Sequence, residues 1–228
     1  MRNHMRAAWG MTRAATVVVV GVTLGPGVAV QAGSILIISD EANSTEGLGS
    51  FTGSLEYEFD PFSDLGFLSV TLTNTSDPGN GGFITGFVFN IASADDDASA
   101  TFINGSHPFE NITDGGLNAQ PFGNPFGAGA ALGGNFLGGG SPTEGIALGD
   151  TGIFDFDVMA FDAANLTALS FLSNGPYEFN FIVRFKGFEN GGSDKVPATI
   201  IPLPPALALG GLGLLGAMFG SRRVRRSS

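Results

Sequence analysis

The sequence predicts an all-β body, an antiparallel β-sandwich of about seven or more strands with one short helix, held between two targeting ends. Three observations predict it. Apolar and polar residues alternate with period two in several short runs, the pattern of half-buried strands. Turn formers separate those runs: the 228 residues include 36 Gly and 12 Pro. The chain also carries 21 Phe and shows no collagen period, so a packed β-rich body is favoured over disorder.

In chain order, the first strand falls at Ile35 to Ser39, a short apolar run. Leu55, Tyr57 and Phe59 alternate with Glu56 and Glu58, giving a second strand with an acidic outer face. Leu68, Val70 and Leu72 alternate with Ser69, Thr71 and Thr73 in a third. Asp77-Pro78-Gly79-Asn80-Gly81-Gly82 is a turn, followed by a strand over Ile84 to Ile91. Ala100 to Ile103 gives a short strand, and Phe154, Phe156 and Val158 alternate with Asp155 and Asp157 in the next. Tyr177, Phe179, Phe181, Val183 and Phe185 form the longest alternation of the chain. The helix falls between the last two strands. Asp162 is its N-cap, Leu166, Leu169 and Leu172 recur every three residues, and Gly175-Pro176 stops it. Residues 104–150 read as a Gly-rich insertion, a long loop touching the sheet through scattered Phe. The body spans 33–188 and a linker spans 189–200.

Cysteine is absent, which excludes a disulfide framework, a thiolate nucleophile and a Cys-ligated zinc site. The formal charge of −11 hides a partition. All 21 carboxylates lie between residues 33 and 196, with only Arg184, Lys186 and Lys195 beside them, a net of −18 for that stretch. Such a surface repels phosphate backbones, so nucleic acid is not an expected partner.

The other seven cations sit in the two ends, which read as addresses. Arg2, Arg6 and Arg13 precede an apolar stretch from Ala14 to Leu24, and Gly25-Pro26-Gly27 breaks it. Val30 and Ala32 stand at the −3 and −1 positions of a cut between Ala32 and Gly33, so residues 1–32 read as a signal peptide. An uncleaved anchor is the competing reading, but the apolar run is short for a span of about 20 residues. No Arg-Arg pair is present in this segment, which favours the general secretory route; Met5 and Met11 are alternative starts.

Residues 201–228 have three parts: the proline motif Ile201-Pro202-Leu203-Pro204-Pro205-Ala206, an apolar Gly-rich stretch from Leu207 to Phe219, and the basic run Arg222-Arg223-Val224-Arg225-Arg226. The basic run holds the tail end on the cytoplasmic side if the apolar stretch spans a bilayer. Four arginines argue against a lipid-anchor signal, and the Leu-Pro-x-Thr-Gly motif of Gram-positive wall sorting is absent. A plain transmembrane anchor is the remaining alternative.

This end resembles the PEP-CTERM family of bacterial sorting signals, in its Val-Pro-Leu-Pro-Ala variant. Pro202, Leu203, Pro204 and Ala206 carry the resemblance, with Ile201 in place of Val and Pro205 inserted before the alanine. The resemblance implies an inner-membrane-tethered precursor, an exosortase-like membrane protease as partner, removal of the tail, and delivery to the cell surface or extracellular matrix. The expected processing residues are Ala32, Gly33, Pro202, Leu203, Pro204, Pro205 and Ala206. Residues 184–197 also resemble the stretch before the sorting signal in some exported proteins of that family.

Chemistry-bearing constellations are sparse. His107 is the one histidine left after signal removal, and no Gly-x-Ser-x-Gly elbow accompanies it. Asp155 and Asp157 share a strand face, as do Glu56 and Glu58, about 7 Å apart by strand rise. That spacing suits glycosidic hydrolysis, but any half-buried strand needs polar residues there. Asp95-Asp96-Asp97, with Asp60, Asp64 and Asp77 in other turns, leaves structural calcium open beside a solvated acidic loop. No EF-hand spacing is present. Sequons at Asn43, Asn74, Asn104, Asn111 and Asn165 are uninformative behind a bacterial-type tail.

Two functions follow as expectations. The first is a non-enzymatic surface or matrix protein of structural or adhesive type, with no catalytic, cofactor or metal residue assigned and extracellular polysaccharide as a further partner. The second is an extracellular carbohydrate-binding or glycan-processing β-sandwich module, an analogy of fold alone. The scarcity of Trp and Tyr between residues 33 and 200 weighs against the second. A cleft holding carboxylates from different strands would weigh for it.

Overall fold

The computed structural model describes residues 33–112, 116–172 and 176–201. Ten strands follow in chain order: β1 Gly33–Ser39, β2 Phe51–Asp60, β3 Leu65–Asn74, β4 Gly81–Phe89, β5 Ser99–Gly105, β6 Phe109–Asn111, β7 Ala128–Leu132, β8 Thr151–Met159, β9 Phe181–Phe188 and β10 Ser193–Ile200. All pairings are antiparallel, in the order β5-β8-β3-β2-β1-β10-β9-β4-β7-β6. The protein is therefore all-β and antiparallel, as the alternation predicts. The expected two-sheet sandwich is instead one ten-stranded sheet, nearly closed into a barrel. Closure leaves only β5 and β6 as edges, and the Phe102 N–H donates across the opening to Asn111 Oδ1 at 3.0 Å.

The period-two pattern explains the interior. Along β2, Leu55 and Tyr57 are buried and Glu56 and Glu58 exposed; along β8, Phe154, Phe156 and Val158 are buried. Phe87 of β4 lies at the centre, 5.1 Å from the Phe154 ring and 5.7 Å from Phe181. It also meets Phe156 edge-on at 5.9 Å, the geometry aromatic quadrupoles favour.

Strands β4, β7 and β9 are buried on both faces. Their outer face is covered by the Gly-rich region, in a second cluster of Val88, Ile112, Leu117, Phe126, Ala131, Phe136 and Ile182. The insertion expected over 104–150 is thus corrected: it contains the end of β5, then β6, β7, the start of β8's approach and this cover. Ala128–Leu132 shows no alternation because both faces are buried by small residues. At Gly129 a Cβ would strike the Phe87 carbonyl oxygen, so the close approach of β7 to β4 needs glycine.

Three further expectations are corrected. The linker over 189–200 holds β10, which sits in mid-sheet between β1 and β9. Gly191, at φ 76°, makes the β9–β10 turn, and Pro197 takes part through its carbonyl, which accepts the Asp40 N–H at 2.8 Å. The helix over Asp162–Leu172 is two short 3-10 turns, Ala163–Asn165 and Ala168–Phe171. A leucine every third residue fits the three-residue turn of a 3-10 helix better than an α-helix. Asp162 caps a neighbouring loop, accepting from Ser93 Oγ and the Ala94 N–H. Finally, β9 begins at Phe181; Tyr177 and Phe179 join the outer cover, beside Phe126 and Phe122.

Register sets two poles. β1 begins where β2 ends, with Gly33 opposite Tyr57. It runs antiparallel to β10, with Ile37 opposite Ile200, and the Ile201 N–H donates to the Leu36 carbonyl at 3.0 Å. Both chain ends of the described fold therefore leave from one pole. The 60–64 turn, residues 90–98 and residues 160–172 lie at that same pole, because β2, β4 and β8 end there.

Candidate functional site

The outer face of β1, β2, β3, β8 and β5 carries a groove, a cavity of about 360 Å³. Strand register builds it. Glu56, Ser69 and Asp155 stand in one cross-strand row, and Glu58, Phe67 and Asp157 in the next. The two carboxylate pairs noted in the sequence thus come to one face, with β3 between them. Glu56, Glu58 and Asp155 line the groove, with Phe67 and Ile103 as apolar wall and Ser34 and Ser69 as hydroxyls. Ser69 Oγ donates to Asp155 Oδ1 at 2.8 Å and fixes that carboxylate. Two strand spacings separate β2 from β8, about 10 Å. That is at or beyond the wide limit for a hydrolytic carboxylate pair. The face can accept hydrogen bonds and offers one half-exposed aromatic ring.

The cations lie elsewhere. Arg184 and Lys195 are direct partners on β9 and β10, with Lys186 one outward position along, on the opposite half of the sheet. Arg184 is only 8% exposed and donates through Nη1 to the Phe136 carbonyl. Burial pulls its pKa down to about 10. Lys186 Nζ donates to the Gly138 carbonyl at 3.0 Å. These two side chains pin the 133–140 loop over the sheet, which composition alone did not reveal.

His107 is half-buried against Phe109 and Phe154, and its Nδ1 lies 3.1 Å from Ser106 Oγ. Ser106 Oγ also accepts the Ile153 N–H, so this pair holds the β5–β6 turn against β8. Asp60, Asp77 and Asp95 are committed to bonds within their own and neighbouring turns, to backbone N–H groups and, at Asp60, also to the Ser63 hydroxyl. Asp95 accepts from Asp97 and Phe161, Asp60 from Phe62 and Ser63, and Asp77 from Gly79. Among the described residues no group of three or more His, Asp or Glu is placed to hold a metal ion.

Of the expected processing residues, only Gly33 is described, at the start of β1 on the rim of the groove. Ala32, Pro202, Leu203, Pro204, Pro205 and Ala206, the signal peptide and the apolar tail lie outside the described residues. Among the described residues no helix is long and apolar enough to cross a membrane.

The sequence signal that was missed is Asp194. It reads as a linker residue but is fully buried, at the pole opposite the chain ends. It accepts from Ser44 Oγ, Thr45 Oγ1 and the N–H groups of Glu46, Leu48 and Gly49. Burial pushes its pKa up, but donors led by Gly49, Ser44 and Leu48 outweigh it and hold the carboxyl below its ordinary value.

No family model, no curated protein and no solved structure matches the chain.

Proposed function

We propose that the chain is an exported protein of structural or adhesive type, and that its last 28 residues are a PEP-CTERM-like sorting signal. In this proposal the barrel is delivered through the secretory route, tethered at the inner membrane by the tail, and released to the cell surface or matrix by an exosortase-like protease. It has no catalytic role. The observation that carries the proposal is the antiparallel β1–β10 pair, Ile37 opposite Ile200. It brings both ends of the described fold to one pole, which supports a reading in which signal and tail engage one membrane without the barrel standing between them. The groove opens on the side wall of the barrel, with Gly33 on its rim at the tethered end.

The test is fractionation of the native host with Arg222, Arg223, Arg225 and Arg226 intact or replaced by serine. The intact protein is expected outside the inner membrane. The replaced one is expected to accumulate unsorted. Equal distribution of the two would sink the sorting proposal.

One observation favours the second function. The groove takes Glu56 and Glu58 from one strand and Asp155 from another. Under this proposal it binds a neutral or amine-bearing glycan, whose hydroxyls or amines donate to the carboxylates while Phe67 packs on a sugar face. Titration with neutral and amine-bearing oligosaccharides, against Phe67→Ala, decides it: binding lost with Phe67 supports the groove, and binding unchanged rejects it.

A further inference from the structure

A single exposed apolar side chain is ordinary on a protein surface, but large ones gathered at one end of the molecule mark an interaction surface. Phe62 is 98% exposed and Phe161 77% exposed. Register places both at the same pole: Phe62 in the turn joining β2 to β3, and Phe161 just past the end of β8, which pairs with β3. Met159, the last residue of β8, is exposed beside them.

This exposure is built into the backbone. The Phe62 N–H donates to Asp60 Oδ1 at 2.9 Å, and the Phe161 N–H donates to Asp95 Oδ2 at 2.7 Å. Each ring is thus presented from a turn tied down by a carboxylate. The opposite pole exposes no aromatic ring of this kind among the described residues; its large exposed apolar residues are Leu137 and Leu148, both at 38%.

The two rings stand at the pole where both chain ends leave. Ile201 is tied to β1, and the apolar stretch starts six residues later at Leu207. Six residues reach at most about 20 Å. Leu207 therefore starts within about 20 Å of Ile201, and so within reach of this pole.

We propose that this pole rests on a lipid bilayer, with Phe62 and Phe161 seated among the headgroups while the tail spans it. The proposal depends on the tail's being a membrane tether, as in the function proposed above. Phe rings at the acyl boundary gain by burial in the way interfacial anchors do. Asp64, Asp96 and Asp97 share the pole, so the favoured surface is zwitterionic, and anionic lipid opposes contact at low salt. The contact holds the proline motif, residues 202–206, at the membrane surface, where a membrane protease can reach it.

The test uses the full chain in a Trp9→Phe background, reconstituted into phosphatidylcholine vesicles containing dibrominated phosphatidylcholine. Single Trp probes are placed by Phe62→Trp, Phe161→Trp and, at the far pole, Leu148→Trp. All three variants are expected to float with the vesicles. Quenching at positions 62 and 161 is expected to exceed that at 148 by at least about twofold, and to weaken when phosphatidylglycerol is added. Flotation with equal quenching at all three positions overturns the proposal and leaves the tether standing. Blue-shifted but unquenched emission at 62 and 161 marks a second copy or another protein on the pole, and also overturns it. Failure to float overturns both the pole contact and the tether.

Discussion

The Asp194 carboxylate receives the backbone N–H of Gly49 at 2.9 Å, across 145 residues of sequence. That bond belongs to a cage in which one buried side chain organises the whole loop between β1 and β2. The loop has little secondary structure of its own, a single 3-10 turn at Glu41–Asn43. Its donors converge on Asp194 instead.

Asp194→Asn replaces one acceptor oxygen by a donor facing other donors. It is expected to cost about 2–4 kcal/mol, read from urea denaturation. The carboxyl is held below its ordinary value in the folded protein, so its contribution is fully present above the unfolded value near 4. It is lost as pH falls through the folded value. The wild type should lose stability more steeply than the variant below about pH 4; parallel curves would refute the cage.

Phe87 and Phe62 test the burial pattern as a pair. Phe87→Ala removes the ring that meets Phe89, Phe109, Phe154, Phe156 and Phe181. It is expected to destabilise by about 3–5 kcal/mol. Phe62→Ala should change stability by less than about 0.5 kcal/mol. Thermal or urea midpoints check both.

Arg184 carries a buried charge with no carboxylate partner within salt-bridge reach among the described residues, and its Nε is buried and unpaired. Arg184→Met keeps most of the volume and removes that charge, so global stability should hold or rise by about 1 kcal/mol. The 133–140 loop then loses the bond to its Phe136 carbonyl and keeps the one from Lys186 to Gly138. The Phe136 amide, which donates to Gly116 at 3.2 Å, should then exchange with solvent faster. Unchanged exchange at Phe136 would show that the apolar cover and Lys186 hold the loop without Arg184.

The paired Glu56→Gln and Glu58→Gln variant removes two like charges from the groove face. The urea midpoint should rise at low ionic strength, with the gain fading near 1 M salt, where the Debye length is about 3 Å. A midpoint unmoved at low salt would mean that the face carries no net repulsion.

Half-buried strands were legible because their two faces meet different solvents. Leu55-Glu56-Tyr57-Glu58 and Phe154-Asp155-Phe156-Asp157 announce their inward residues, and the structure places them inward. Strands buried on both faces were not legible. Ala128–Leu132 carries no alternation, since Phe87 lies under one face and Phe136 near the other. β10 was hidden by Pro197 and by Asp194, residues that speak against a central strand until their partners are known. The carboxylates of the groove were found in the sequence, but that Glu56 and Asp155 face one cavity depends on β3 lying between β2 and β8.

The most direct measurement is the intact mass of the protein isolated from its native host. The proposed function predicts a species that starts at Gly33 and ends at or near the proline motif of residues 202–206, having lost both addresses. A species that keeps residues through Ser228 would contradict it and leave a barrel permanently tethered at one pole.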